Sequence, residues 1–512
     1  MAVEGGSTSR RGRLGLVFLA TIACTDRDTP IDETSTTGTS SSESDSDVAS
    51  TSAEDETGPV VTDTSTVTSV DDSEGSSTTT GTDTGVGCVD GDRGCTRRID
   101  VLVVIDNSGT MGEEQLALAR NFPLLVQQLE ELTDASGVPV DADVQIMVTT
   151  TDMGNPLCTA FEPDGYDPAR GAPTTTGCNA RIDDFTGLSQ PPVQVPEACT
   201  SVCPTDVVPS DPFVAFGPAG DNVPDVAPTD INGDGVPDSP AAQALACIGP
   251  QGINGCGYEA QLESMLQAIN PEAPWNQGDR PFLRDDAVLA IAIITDEVEC
   301  SVNDFSIMDD PEYQEINPNT GSPAASSAIC WNAGVTCSGP DAGGFYDDCQ
   351  SIDDDRLQPV ARYADYIFEE LRGNQGKEVL MLGILGVPPV TAHNPSPPYE
   401  PTAGGVADLV YREWDDGIYP FGDILPDEWK AGVTAADKVF AFGNIGPACT
   451  GEDGMGGFTG QGLPNTRVIE VCQSLDGDVA IRCCIESICD ADLSPAIQCL
   501  TGIIGGAVDP VD

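Results

Sequence analysis

The chain has 512 residues, of which 84 are acidic and 21 basic, so its formal net charge at pH 7 is -63. Such an anionic surface argues against binding to nucleic acid and against docking on anionic lipid head groups. The sequence contains one histidine, His393, which argues against zinc chemistry and against a Ser-His-Asp triad.

The first 24 residues have the pattern of an export signal. A basic segment with three arginines precedes an apolar run, residues 14–23, that is too short to span a bilayer. The run ends before Cys24, and a small residue followed by cysteine at this place resembles a bacterial lipobox, in which the cysteine is lipidated. An ordinary signal peptide with an incidental cysteine is the alternative. Lipidation of Cys24 would leave 18 of the 19 cysteines, an even number that could form nine disulfides.

Residues 25–87 consist largely of Ser, Thr, Asp, Glu and Gly. Such a segment cannot bury enough apolar surface to offset its chain entropy, so we expect it to be disordered. Repulsion between its acidic groups should extend it into a tether. The folded part is expected to follow over residues 88–505. Cys88 and Cys95 bracket a short loop at its start and are expected to pair, with a partner elsewhere as the alternative.

A set of oxygen donors directly follows the first buried strand. The apolar run 101–105 is typical of a strand that is buried on both faces of a parallel sheet. Asp106, Ser108 and Thr110 then occupy alternate positions where a strand ends and a helix should begin. Ligands bind at the carboxyl ends of strands in open α/β sheets. Carboxylate and hydroxyl oxygens suit Mg²⁺, Mn²⁺ or Ca²⁺.

This Asp-x-Ser-x-Thr pattern resembles the metal-ion-dependent adhesion site of von Willebrand factor type A domains, whose usual last residue is Ser. The resemblance implies that Asp106, Ser108 and Thr110 hold Mg²⁺ or Mn²⁺, since Thr110 keeps the hydroxyl group. A buried strand followed by a polar turn that binds no metal is the alternative.

Regular structure continues for about forty residues after this motif and then gives way to an irregular segment. Apolar residues at helical spacing predict a helix over 112–132, interrupted by Pro123, and a strand is predicted over 143–150. Asp152 follows, either as an outer acid of the metal site or as the first residue of a turn. Residues 155–256 are rich in Pro, Gly and Cys, so we interpret them as an insertion held by disulfides.

The segment DINGDGVPD within this insertion has the donor spacing of a calcium loop. Oxygen donors fall at positions 1, 3, 5 and 9, and the carbonyl at position 7 completes the pattern: Asp230, Asn232, Asp234, Asp238 and Val236. Gly235 provides the sharp turn, but position 12 is Ala241, so the bidentate acid of an EF-hand is missing. We expect a structural Ca²⁺ site of low affinity, with an unliganded acidic turn as the alternative.

A second part of the metal site is expected after the insertion. A Gly-rich turn near residue 254 leads into a helix, and the type A family places a Thr from such a turn in the metal shell. This turn has no Thr, so Asn254 or a water would take that place. A second buried strand, 287–294, ends in Thr295-Asp296-Glu297, which resembles the third metal loop of the family. The resemblance implies that Asp296 lies beside the ion, directly or through water.

Four longer segments extend the resemblance to a group of proteins that carry this domain. The segments GCGYE, FLRDDAVLAI, TDEVECS and SICDADLSPAI are similar to segments of cysteine-rich bacterial surface lipoproteins of the myxobacterial type. This similarity covers roughly residues 88–505 and implies export to the cell envelope, at the outer membrane or the cell surface.

The rest of the chain continues the alternation of helices and strands. A second insertion is expected over 304–355, a third buried strand over 378–385 and a fourth over 438–445, and helices over 358–372, 464–475 and 493–504. His393 lies in a Pro-rich loop and is expected to be a loop residue and not a ligand. Six cysteines near the end are expected to bridge locally, with Cys483 and Cys484 bonding elsewhere than to each other.

This alternation predicts an α/β fold, a doubly wound and mostly parallel open sheet flanked by helices, with disulfide-rich loop insertions. We expect an exported, lipid-anchored binding protein that captures an unidentified protein or polysaccharide through a divalent cation. A structural component of the cell envelope with a purely stabilising metal is the alternative. An enzyme is not expected, because the sequence has neither HExxH nor a nucleophile elbow.

Overall fold

A computed structural model describes residues 96–134, 136–159, 162–163, 165–187, 192–318, 320–414, 443, 445–452, 458–477 and 480–508. The predicted export signal with Cys24, the tether and the Cys88–Cys95 bridge lie outside these residues, and so does most of the strand predicted over 438–445.

The described strands are β1 Arg97–Ile105, β2 Ala142–Thr150, β3 Val214–Phe216, β4 Val288–Ile294, β5 Glu315–Asn317, β6 Ser322–Ala324, β7 Val335–Ser338, β8 Phe345–Ser351, β9 Val379–Leu385, β10 Val390–His393, β11 Pro401–Gly404, β12 Tyr411–Arg412, β13 Cys449–Glu452, β14 Phe458–Gly462 and β15 Cys483–Ser487. The α-helices are α1 Gly112–Glu130, α2 Glu197–Thr200, α3 Pro240–Ile248, α4 Gln261–Ala268, α5 Ile329–Gly334, α6 Val360–Asp365, α7 Thr466–Ser474 and α8 Ser494–Ala507. A π-helix, Tyr366–Asn374, continues α6.

Six strands form the central sheet, in the order β15-β9-β4-β1-β2-β3. All pairs are parallel except β2 with β3, which is antiparallel and lies at one edge. Along the chain, the strands that follow β1 first extend the sheet on one side, through β2 and β3, and then on the other, from β4 onward. The expected α/β class with a mostly parallel sheet is therefore confirmed.

Helices cover both faces of this sheet because the side chains of a strand alternate between its two faces. The odd-numbered side chains of β1 from 99 to 105 pack in a core with α1, α3 and α8. Leu102 and Val104 face the other way, into a core with α4, the π-helix and α7. This double burial explains why β1 has an almost continuous apolar sequence. Within the described residues, no helix is both long and apolar enough to cross a membrane.

Three elements of the sheet region, β3, α3 and β15, have no clear pattern in the sequence. The segment interpreted as an irregular insertion, 155–256, contains the edge strand β3 and the helix α3, which packs against α1. Helix α3 is buried over its whole length, so its apolar residues show no helical period; Ser239 caps it by accepting a hydrogen bond from the Ala242 N–H, 3.2 Å. Strand β15 has the sequence CCIES, which lacks the aliphatic run of the other buried strands.

The expected disulfides are present in the described part of the chain. The eight pairs are 158–256, 178–199, 203–247, 300–330, 337–349, 449–489, 472–483 and 484–499. The six cysteines near the C-terminus pair among themselves, and Cys483 and Cys484 bond to different partners, as predicted. The first three pairs bridge the segment before α4, which otherwise has little regular structure.

Candidate metal centre

The carboxyl ends of β1 and β4 lie side by side in the sheet. Ile105 pairs with Ile294 in the parallel register, and the Asp106 N–H donates to the Ile294 carbonyl oxygen at 2.9 Å. Asp106 and Thr295, the first residues after these strands, are therefore neighbours. This is the place where the strand order reverses, and open α/β sheets bind ligands at such places.

Asp106 is fully buried and is held on three sides. Its Oδ1 accepts the Ser108 N–H at 2.7 Å, and its Oδ2 accepts the Thr295 hydroxyl at 2.6 Å. The Gln115 side chain of α1 donates to its backbone carbonyl at 2.8 Å. The loop after β1 is thus anchored both to β4 and to the first turns of α1.

Two hydroxyl groups and a carboxylate meet next to Asp106. The Ser108 Oγ lies 3.1 Å from the Thr110 Oγ1, and the Thr110 Oγ1 lies 3.4 Å from the Glu297 Oε1. The Thr110 hydroxyl also lowers the pKa of Asp296 by hydrogen bonding, although burial and the charge of Asp106 raise it more. Ser108 is buried, whereas Thr110 is half-buried and Gly109 is exposed, so the site reaches solvent beside Thr110.

Four buried carboxyl groups repel one another here; we call Asp106, Glu259, Asp296 and Glu297 the acidic cluster. Burial is the largest cause that raises the pKa of each of them. The charge of Asp106 raises the pKa of the other three further. Asp106 and Asp296, expected at one site from two distant segments, are therefore close enough for the charge of one to raise the pKa of the other.

The acidic cluster, unlike Asp100 and Glu299, has no cationic partner among the described residues. Asp100 pairs with Arg284 at 2.7 Å, and Glu299 pairs with Arg467 at 2.7 Å. No salt bridge between described residues reaches the acidic cluster. Buried charges without a partner are costly, so a cation would stabilise these groups in their ionised form.

Unpartnered oxygens strengthen this conclusion. The Asp296 Oδ1, Glu297 Oε2 and Glu259 Oε1 are buried and accept no hydrogen bond from the described residues. Buried polar atoms are normally satisfied, and these three are all acceptors. A hard divalent cation fits this donor set, because carboxylate and hydroxyl oxygens are the ligands it prefers.

Among the described residues, the set of three Cys, His, Asp or Glu ligand atoms that all lie within 4.8 Å of one another is formed by Cys178, Cys203 and Asp206, and no three carboxyl groups of the acidic cluster meet this distance. Both sulfurs are in disulfides, so neither can act as a thiolate ligand. Asp206 accepts hydrogen bonds from the N–H groups of Asn179 and Ala180. This set is therefore part of the bridged loop and not a metal site.

Asp152 was expected from the sequence to be either an outer acid of the metal site or the first residue of a turn. In the structure its two carboxylate oxygens make different contacts. Its Oδ1 accepts the Gly154 N–H at 2.7 Å, as the first residue of a turn does. Its Oδ2 accepts the Tyr166 hydroxyl at 2.7 Å, and Tyr166 in turn accepts from the Asn107 side chain at 3.0 Å. Asp152 thus supports the metal loop through one intermediate side chain.

Asn254 lies near the metal loop, but its side-chain nitrogen is directed elsewhere. The turn that contains it meets the loop where the Gly255 N–H donates to the Asn107 carbonyl oxygen at 2.8 Å. The Asn254 side-chain nitrogen donates to Asp184 at 3.0 Å, and its Oδ1 is buried without a partner. In the described residues no hydrogen bond joins Asn254 to Asp106, Ser108 or Thr110.

The predicted calcium loop precedes α3 and folds its acids inward. Asp230 accepts the N–H groups of Gly233 and Gly235, at 2.8 and 3.1 Å, and Gly235 has a φ of 88° that suits the sharp turn. The pKa of Asp238 is raised by burial and then by the charges of Asp234 and Asp230. The charges of Asp230 and Asp234 therefore act on Asp238, although Asp230 and Asp234 are exposed. Asn232 and Val236 lie between them in the same loop, where the Val236 N–H donates to Asp234 at 2.7 Å.

Two members of the acidic cluster were not assigned from the sequence. Glu297 follows Asp296 directly, so the loop itself was identified, but which of its acids reach Thr110 depends on backbone geometry after the strand. Glu259 lies just before α4, and a single acid before a helix carries no signal of its own. Its position behind Asp106 results from the packing of α4 against β1 and β2.

Neither a comparison with protein-family models nor one with characterised proteins finds a match for this chain. The chemistry of the site therefore has to be inferred from its own donors, which are carboxylates and hydroxyls at the ends of two neighbouring strands.

Proposed function

We propose that the protein is an exported binding module of the von Willebrand factor type A kind, which captures a ligand through a divalent cation. Asp106, Ser108 and Thr110 hold the cation, with Asp296 beside it. The observation that carries this proposal is the buried acidic cluster, which has unpartnered oxygens and no cationic partner in the described part of the chain.

The sheet supports the doubly wound fold of this proposal. Its order places three strands on one side of β1 and two on the other, with a single antiparallel strand at the edge beside β2. Helices pack on both faces. In such sheets a ligand site lies where successive connections leave β1 in opposite directions. Asp106 follows β1 at that point.

In this proposal, the residues that hold Mg²⁺ or Mn²⁺ supply two kinds of oxygen ligand. Asp106 and Asp296 supply negative charge, while Ser108 and Thr110 supply neutral oxygens 3.1 Å apart. Thr295 fixes the orientation of Asp106 by donating to its Oδ2. When bound, the cation offers a coordination position to an oxygen of the ligand. Asn254 has an unused buried oxygen near this loop and is a subsidiary candidate.

We propose a separate structural role for Ca²⁺ in the loop 230–238. Asp230, Asn232, Asp234 and Asp238 supply side-chain oxygens, and Val236 supplies its carbonyl. The ion would offset the mutual repulsion of three acids directly before α3. Calorimetric titration with Ca²⁺ checks this, and an equal heat of binding in Asp230→Ala would contradict it.

The partner in this proposal is a protein or a polysaccharide outside the cell. The net charge of -63 disfavours nucleic acid, and lipidation of Cys24 would make an anchor the means of membrane contact. Residues 25–87 would hold the module away from the membrane of the cell envelope, at the outer membrane or the cell surface.

The test compares Asp106→Ala with Asp286→Ala in the full-length chain, since Asp286 pairs with Arg98 beyond the amino end of β4. Titration with Mn²⁺ should show, beside any binding at the loop 230–238, a second site in the wild type and in Asp286→Ala that is lost in Asp106→Ala. Immobilised wild-type protein should retain a component of envelope extract in Mg²⁺ or Mn²⁺ and release it in EDTA. Retention that is unchanged in EDTA would contradict the proposal.

A second candidate is a structural component of the envelope in which the cation only stabilises the fold. The depth of the site favours it, because Asp106 and Glu259 have no exposed surface. Under this candidate, EDTA lowers the melting temperature as it does under the first, but no envelope component is retained in either condition.

A further inference from the structure

We propose that the ligand group which reaches the cation is a neutral hydroxyl of a saccharide or another polyol, and that the site rejects a carboxylate. This inference rests on the proposed cation site and specifies the class of ligand that it accepts.

The first argument is the charge at the site. Asp106, Asp296 and Glu297 are three acids around the hydroxyls of Ser108 and Thr110, so a divalent cation leaves one of their negative charges unbalanced. Glu259 lies behind Asp106 and adds a further acid. A carboxylate that enters this site therefore meets a residual negative charge in a buried place, where charges are poorly screened. A neutral oxygen meets no such repulsion.

The second argument is the hydrogen-bonding capacity of the site. The Glu297 Oε2 and the Asp296 Oδ1 are buried acceptors that receive no donor from the described residues. A hydroxyl can place its oxygen on a cation and donate its hydrogen to a neighbouring carboxylate. A carboxylate ligand has no hydrogen to donate, so it would leave such acceptors unpaired.

The third argument is the position of Glu297. The exposed side of the site consists of Gly109 and Thr110, and the Glu297 Oε1 lies 3.4 Å from the Thr110 hydroxyl. A group that approaches from solvent beside Thr110 therefore meets an acceptor next to the cation. Vicinal hydroxyls of a sugar satisfy both requirements at once, because one can bind the cation while the other donates to a carboxylate.

The experiment uses the full-length chain loaded with Mn²⁺ and measures water on the bound ion by proton relaxation. Sorbitol is the neutral probe, because its flexible chain can present vicinal hydroxyls in many geometries; sodium acetate is the anionic probe, with sodium chloride as the control for ionic strength. Electron paramagnetic resonance of free Mn²⁺ reports whether the ion stays bound. Sorbitol should displace water at a concentration about tenfold lower than acetate does.

The outcomes separate this inference from the proposed function. If Mn²⁺ stays free before any probe is added, the cation site itself is wrong. If Mn²⁺ binds and acetate displaces water as well as sorbitol does, or neither probe displaces it, the inference is overturned.

A matched pair of variants tests the role of Glu297. Glu297→Gln removes one charge at the site, and Glu315→Gln removes one partly buried charge on β5 that accepts a hydrogen bond from Asn332. Glu297→Gln should reduce the preference for sorbitol over acetate severalfold, whereas Glu315→Gln should leave it unchanged. An unchanged preference in Glu297→Gln, with Mn²⁺ still bound, would contradict the charge argument.

Discussion

Asp296 and Glu299 are three residues apart and equally inaccessible, yet their surroundings differ. Asp296 faces the charge of Asp106, which together with burial raises its pKa well above the usual range. Glu299 accepts a hydrogen bond from the buried Arg467 at 2.7 Å. Because the cost of a buried charge depends on its partner, the same chemical change should have opposite effects at these two positions.

Without a divalent cation, Asp296→Asn should raise the free energy of unfolding, because it removes one of several buried carboxyl groups whose charges repel one another. Glu299→Gln should lower it by about 3–5 kcal/mol, because Arg467 loses its buried partner. Urea denaturation in EDTA measures both values. Loss of stability in Asp296→Asn would show that the charges of the cluster do not strain the cation-free protein.

The residues of the candidate site show which site residues a sequence can predict and which it cannot. Asp106, Ser108, Thr110 and Asp296 could be singled out because they follow apolar strands and match a known spacing. Residues that follow parallel strands lie at the same edge of the sheet, and the apolar runs in the sequence show where those strands end. Glu297 and Glu259 could not be assigned, because side-chain direction after a strand and helix packing decide where their oxygens lie.

At the scale of the elements, the turn before α4 contacts the loop 106–110, which follows β1, through Gly255. The Gly255 N–H donates to the Asn107 carbonyl oxygen, and a Cβ at position 255 would lie 2.4 Å from the Asn107 Oδ1. Gly257, two residues later in the same turn, has no heavy atom within 4 Å of such a Cβ. An alanine at 255 must displace the side chain of Asn107, which lies between Asp106 and Ser108 and donates to the Tyr166 hydroxyl at 3.0 Å.

Gly255→Ala should weaken Mn²⁺ binding by about 10–100-fold, the usual effect of disturbing a group that supports metal ligands. Gly257→Ala should bind Mn²⁺ as the wild type does, and thus controls for alanine in this turn. Isothermal titration calorimetry gives both affinities. Equal affinities in the two variants would mean that the turn does not position the metal loop.

Elements were predictable where periodicity or double burial leaves a clear pattern. Strands β2, β4 and β9 have bounds that differ from the predicted ones by one residue at most, whereas β1 begins four residues before its predicted apolar run 101–105. Strand β3 has three residues, which is too short for a period, and β15 carries two disulfide-bonded cysteines in place of aliphatic residues. Both therefore depend on tertiary packing and on covalent bridges that the sequence does not specify.

For the whole molecule, the acidic cluster links stability to pH. A carboxyl group whose pKa is raised by folding stabilises the fold below its unfolded pKa, and this stabilisation is lost as the pH rises through the folded pKa. The carboxyl groups of the acidic cluster have raised pKa values and should therefore destabilise the fold as the pH rises. Burial also raises the pKa of Glu486 to about 7 and that of Asp490 to about 6, so these two groups act in the same direction. The cation-free protein should therefore lose stability as the pH rises from about 4.5 to neutrality.

A bound divalent cation reverses part of this loss, because it favours the ionised carboxylates. The difference in melting temperature between Mn²⁺ and EDTA should therefore grow as the pH rises over this range. Paired thermal scans measure this difference, and Asp106→Ala should show none that depends on pH. A difference that shrinks as the pH rises would contradict a carboxylate-bound ion.

The position of Asp106 at the end of β1 has a mechanical consequence. The chain enters the sheet at Arg97 and reaches the proposed ligand site after one nine-residue strand. If the chain is anchored through its N-terminal segment, as proposed, a pull on a ligand held at Asp106 would be transmitted to Arg97 along the covalent backbone of this central strand. The hydrogen bonds to β2 and β4 would hold the strand in place without being the path of the load.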